Sequence, residues 1–107
     1  EQGIDYSEQQ KIDQSPAAVS KRIVDFSTNF YDIFLTQNSQ LTEEQALDSF
    51  ETTIRGAVDS GYVDAMGLLE GIGIPESILD VSRETKSLVE ERFDEFFAQK
   101  REALLAS

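Results

Sequence analysis

Apolar side chains recur at helical spacing in four stretches of the chain. In the first, Val19, Ile23, Phe26, Phe30 and Phe34 follow at intervals of four, three, four and four, which places them on one face of a helix. Ser15-Pro16 opens that stretch. Serine is a favoured N-cap, and proline suits the first helical position because its missing N–H would be unpaired there anyway. The pattern predicts a helix over 16–37, with Asn38-Ser39-Gln40 as the loop. Thr42 and Gln45 then form a Thr-x-x-Gln capping box, with Leu41 and Ala46 placed as a hydrophobic staple. Leu47, Phe50, Ile54 and Val58 make the stripe of a second helix over 43–60, and Gly61 is placed as its stop. Val63, Met66 and Leu69 predict a short third helix over 62–70. Gly71-Ile72-Gly73-Ile74-Pro75 breaks the pattern, and Pro75 opens a fourth helix over 75–98 with Ile78, Val81, Leu88, Val89, Phe93, Phe96 and Phe97 as its apolar positions. Thr85 and Arg92 interrupt that stripe, so a kink near 80–85 is expected, and Ala103, Leu104 and Leu105 can extend the helix.

No alternating run bounded by turn residues competes with this reading. The expected fold is therefore all-α, a small helical bundle of three main helices plus one short one. Residues 15–107 form a single helical domain, and residues 1–14, whose only large apolar groups are Ile4, Tyr6 and Ile12, form a flexible N-terminal arm. With the short third helix as a corner, the first and fourth helices run parallel. Phe30 and Phe34 then pack against Phe93, Phe96 and Phe97, with Phe30 in the core.

Composition narrows the chemistry. The 107 residues include no His, Cys or Trp. Without imidazole there is no ordinary general base poised near neutral pH. Without thiolate or imidazole there is no structural zinc site, iron–sulfur cluster or Cys nucleophile. Ten aromatics and 39% hydrophobic residues suit a folded chain of one domain. The net charge is −12, and residues 23–82 carry eleven acids against a single base, Arg55. That field repels nucleic acid and anionic lipid, so neither is an expected partner. No stretch approaches the run of about 20 apolar residues that spans a bilayer. The absence of Cys favours a reducing cytosol, and a chain that does not begin with Met is expected to be a fragment.

Several motifs fail on inspection. Asp59 to Glu70 has the length of a calcium loop, but Gly61, Val63 and Asp64 stand where two oxygen ligands and the turn glycine belong. Gly71-x-Gly73 follows a helix and lacks the third glycine of a dinucleotide loop. The acid pairs Glu44/Asp48 and Glu91/Glu95 read as solvated faces opposite the apolar stripes, because a carboxylate-bridged di-iron bundle also needs Glu-x-x-His. Arg55 reads as an intrahelical ion pair with Glu51 or Asp59, each four residues away, ahead of an anion contact.

Six short runs carry a family resemblance: Gly3-Ile4-Asp5, Ser15-Pro16, Arg22-Ile23-Val24-Asp25-Phe26, Ile54-Arg55-Gly56, Gly61-Tyr62-Val63-Asp64-Ala65 and Gly71-Ile72-Gly73. In order and spacing they resemble a bacterial domain of unknown function, found in proteins of which some are labelled hydrogenase-4 component G. Tyr62, Asp64 and Ile72 are mild departures from its pattern. The resemblance implies a helical domain with further sequence upstream, and it assigns no activity. A hydrogenase centre needs thiolate ligands, so such a protein would be an accessory subunit at most. The expected function is a protein-interaction or structural module, not an enzyme, with no cofactor and no metal. The acidic charge reads first as a device for solubility; a partner, if there is one, is expected to be an unidentified basic protein, with Glu43, Glu44, Asp48 and Glu51 on the second helix as the candidate docking face. The rival expectation is a cofactor-free, carboxylate-using enzyme or a binder of a hard cation such as Ca or Mg. A cleft lined by acids from different helices would favour that rival.

Overall fold

The cap signals act where the sequence places them. In the computed structural model, which describes residues 14–106, the Ser15 side chain accepts the Ala18 N–H at 3.2 Å and Pro16 begins helix α1, Pro16–Thr28. The arm read over residues 1–14 lies outside the described residues, apart from Gln14. A short helix α2, Tyr31–Gln37, follows. The Thr42/Gln45 capping box is complete, at 3.1 and 3.0 Å, and opens α3, Glu43–Gly71. Gly73 takes a φ of 80°, a left-handed conformation open to glycine at no steric cost, and turns the chain. The Pro75 carbonyl accepts the first N–H groups of α4, Glu76–Ala106. The described residues are all-α, a small bundle of one bent helix and two long ones.

Three boundaries differ from the sequence reading. The helix expected over 16–37 breaks at Asn29-Phe30, where the Phe30 N–H turns back to the Ser27 carbonyl. The segments expected over 43–60 and 62–70 are one continuous helix, so Gly61 is not a stop and no corner exists there. The fourth helix continues unbroken through 80–85 to Ala106.

α3 and α4 pair antiparallel: Asp48 and Glu51 meet Arg101, Arg55 meets Glu90 and Asp94, and Asp59 meets Lys86. α1 packs on α4 and runs parallel to it, because contacts ascend together: Ser20 meets Arg92, and Tyr31 beyond the break meets Phe96. The core gathers Val24, Tyr31, Leu47, Phe50, Val89, Phe93 and Phe97. The parallel arrangement agrees with expectation, but the residue at its centre does not. Phe30 is 46% exposed and Tyr31 is 3% exposed. The expected stripe Val19, Ile23, Phe26 and Phe30 lies one residue off the face that packs: Phe26 is exposed before the break as Phe30 is at it, whereas Ser20, Val24, Ser27 and Tyr31 are buried at spacings of four, three and four, and Tyr31 and Phe34 lie against Phe50 with ring centroids 5.3 and 5.4 Å away.

Candidate functional site

Most charged side chains at the α3–α4 seam are engaged with one another. Arg55 donates to Glu51 on its own helix at 2.8 Å, and across the seam to Glu90 at 3.1 Å and Asp94 at 2.7 Å. Its guanidinium also lies 5.5 Å from the Phe93 and Phe97 ring centroids, so the charge caps the edge of the core. Asp59, the other expected partner of Arg55, pairs with Lys86 at 2.7 Å. Acids from two helices therefore do converge, yet they enclose a guanidinium. Burial pushes the Glu51 carboxyl up, but hydrogen bonds from Arg55 and Arg101 outweigh it and hold the group below its ordinary value. No group of three or more acids among the described residues is arranged to hold a metal ion.

The four residues of the candidate acidic face separate into two pairs. Glu43 and Glu44 are exposed in the first turn of α3, where negative charge complements the helix dipole. Asp48 and Glu51 lie one and two turns further on and both bind Arg101, at 2.7 and 2.6 Å. Of the four, Asp48 and Glu51 are held in ion pairs among the described residues, and Glu43 and Glu44 are exposed.

A second surface was not identified from the sequence. α1 and α3 both rest on α4, and a cleft separates them. One cavity in it, of about 330 Å³, is lined by Ile23 of α1, Val58, Ala65 and Leu69 of α3, and Thr85 and Val89 of α4. Another, of about 230 Å³, lies outside that cleft, between α2 and α3, where Phe30 at the N-cap of α2 and Ile33 face Phe50 and Ile54. The only charge among the residues lining either is Lys86, which Asp59 and Glu90 hold. Burial pushes the Lys86 ammonium down, and its two carboxylate partners more than reverse this, so it stays charged and occupied. The width of the apolar arc on α3 is the signal that could have revealed this cleft. Leu47, Phe50 and Ile54 suffice for one packed face, yet Val58, Ala65 and Leu69 continue the arc, with Ile23 the one α1 residue lining the hollow beside them.

Over residues 1–96 the chain matches the protein family described as a domain of unknown function (DUF5610). No curated protein and no solved structure matches it.

Proposed function

We propose that this chain, which belongs to the DUF5610 family of domains of unknown function, is a protein-interaction module without catalytic activity. The observation that carries the reading is a pair of open apolar hollows along α3, one beside Ile23 of α1 and one beside α2, with Lys86 as the only charged residue lining either. Enzyme sites combine an apolar wall with convergent polar groups whose pKa values are tuned to the reaction. Here the polar groups of α3 and α4 converge elsewhere, in ion pairs along the seam. The partner in this reading is a basic protein, drawn by the −10 of residues 23–82. Glu43 and Glu44 contribute to encounter, and the hollows contribute to affinity.

The hydrogenase label carried by some similar proteins fits only an accessory role, since the chain has no thiolate to offer a metal cluster. No helix among the described residues is long and apolar enough to cross a membrane.

Two measurements test the reading. The full chain, purified with a partner captured from its native cells, binds in fixed stoichiometry, and reversing Glu43 and Glu44 to Lys slows association at low salt. Melting temperature moves little with micromolar calcium, manganese or zinc. A large saturable rise with any of these ions would instead favour the hard-metal rival, because a ligand selective for the native state raises its apparent stability.

A further inference from the structure

We propose that the hollow beside Ile23 is the seat of the chain's own first residues, 1–13, with Tyr6 as the anchor. The inference goes beyond the interaction-module reading, which it narrows to the hollow between α2 and α3.

The described chain begins close to the hollow. Gln14 is its first residue, and α1 starts at Pro16, about 10 Å along the helix from Ile23. The Ala17 carbonyl, in the first turn of α1, accepts from Arg92 of α4. α1 runs parallel to α4. Traced backwards from α1, the chain therefore heads toward the start of α4, where Ser82, Thr85, Lys86 and Val89 line the hollow. Its α3 side, from Val58 to Leu69, extends about 16 Å at 1.5 Å per residue. An extended chain covers about 3.3 Å per residue, so Ile12 reaches about 7 Å from Gln14 and Tyr6 about 26 Å. The segment is long enough to fill the hollow from its own attachment point.

The surface at this end of the α3–α4 pair is apolar. Val63, Leu68, Ile72, Ile78 and Val81 are all exposed there. Leu68 follows Ala65 by three on α3 and Ile78 precedes Ser82 by four on α4, so both border the hollow. Single exposed apolar residues are ordinary, but a contiguous set around a hollow marks a surface that takes a cover. Residues 1–13 bring three large apolar side chains, Ile4, Tyr6 and Ile12. The family match takes in residues 1–96, so this segment belongs to the same domain as the helices it would cover.

Chemistry selects Tyr6 as the anchor. Ser82 and Thr85 donate their hydroxyls to the carbonyls of Ile78 and Val81, at 3.3 and 2.9 Å, so each oxygen keeps lone pairs that can accept. A tyrosine ring fills apolar space while its hydroxyl donates at the tip. Tethering selects this segment over a second copy. A short flexible connection gives an effective concentration on the order of millimolar, so a contact too weak to hold a separate chain still holds a tethered one. A second copy also brings its whole net charge of −12, against four acids and one lysine in residues 1–13.

The chain has no Trp and no Cys, so either can be introduced as a unique reporter in the full chain. Tyr6→Trp should emit to the blue of the same variant in denaturant, as a buried indole does, at every protein concentration. Ala65→Gln combined with Thr85→Gln places two amides in the hollow at unchanged charge and should return that emission to the solvated position. Ser87→Gln, on the exposed side of α4, should leave it blue. A second measurement covers the case in which the paired substitution disturbs folding. Tyr6→Cys with Ser82→Cys should close a disulfide within one chain, since bridging needs Cα atoms within about 7 Å, and Tyr6→Cys with Ser87→Cys should not. Solvated emission from Tyr6→Trp in the otherwise unaltered chain overturns the proposal. So does blue emission that persists once the hollow is altered, blue emission that appears only as concentration rises, or equal cross-linking at positions 82 and 87. Partner binding enters none of these readouts, so the interaction-module reading stands or falls separately.

Discussion

Tyr31 carries its phenol into the apolar cluster, where the oxygen is buried without a hydrogen-bond partner among the described residues. Burial, then the nearby Glu43 and Asp32, push its ionisation above the ordinary value of 10.0, with Arg101 opposing. An unsatisfied buried hydroxyl costs about 1–3 kcal/mol of desolvation. Tyr31→Phe keeps the ring against Phe50 and Phe96 and removes that cost, so it should stabilise the fold by about 1 kcal/mol. A denaturant midpoint that rises at constant slope would show it. Its neighbour Phe30 illustrates the opposite case. Phe93→Ala should cost about 3–5 kcal/mol, as for a fully buried phenylalanine. Phe30→Ala should cost only about 1 kcal/mol, the worth of partial burial and one edge-on ring contact. Equal losses in a chemical denaturation series would mean that Phe30 belongs to the core after all.

At the scale of elements, α3 shows how pairing overrides a local stop. Gly56, Gly61 and Gly67 all lie inside it, and each lowers helix propensity. The helix persists because α4 grips it along its length: Arg101 on Asp48 and Glu51, Glu90 and Asp94 on Arg55, and Lys86 on Asp59, with the ammonium 5.3 Å from the Tyr62 ring centroid. Helical stability in proteins comes mostly from tertiary packing of this kind. A Cβ at Gly61 would meet no atom within 4 Å. Gly61→Ala should therefore raise stability by about 0.5–1 kcal/mol, read from a thermal melt. A fall instead would mean that Gly61 needs its conformational freedom, as a true stop does.

For the whole molecule, charge and pH pull in two directions. The net −12 repels itself in the folded state, so mild acidification relieves strain. The ion pairs set a limit to that gain. Glu51 is held below its ordinary 4.5 and Asp59 below its ordinary 3.8, the latter by hydrogen bonding to Lys86. A carboxylate whose folded value is depressed stabilises the fold fully above its unfolded value, and that contribution is lost as pH falls through the folded one. Melting temperature should hold or rise from neutral pH to about 5, then fall below about 4.5. Glu51→Gln should soften the acid limb, and an unchanged limb in melts across that range would remove the seam from the account.

The N-terminal caps, the turn at Gly73 and the all-helical class were legible in the sequence because each is local, while the apolar stripes were legible only in part, since Phe26, Phe30, Val63, Ile78 and Val81 are exposed. A serine cap, a capping box or a glycine at φ 80° acts over a few residues. Leu47, Phe50, Val89, Phe93 and Phe97 sit in the core as their spacing implied. The parallel path of the first and last helices was expected by way of a corner at the third helix, and it arises instead because Glu43–Gly71 is a single helix that returns the chain once. What only tertiary structure decided was anything that depends on a partner across the fold. The choice of Ser20, Val24, Ser27 and Tyr31 as the inward face, in place of Phe26 and Phe30, depends on what α3 and α4 set opposite, Phe50 and Phe96 against Tyr31 among them. The passage of α3 through Gly61 depends on α4. The division of Glu43, Glu44, Asp48 and Glu51 depends on where Arg101 lands, fifty residues from Glu51. The hollows along α3 depend on where Ile23 of α1 and Phe30 and Ile33 come to lie against it, which no local signal carries.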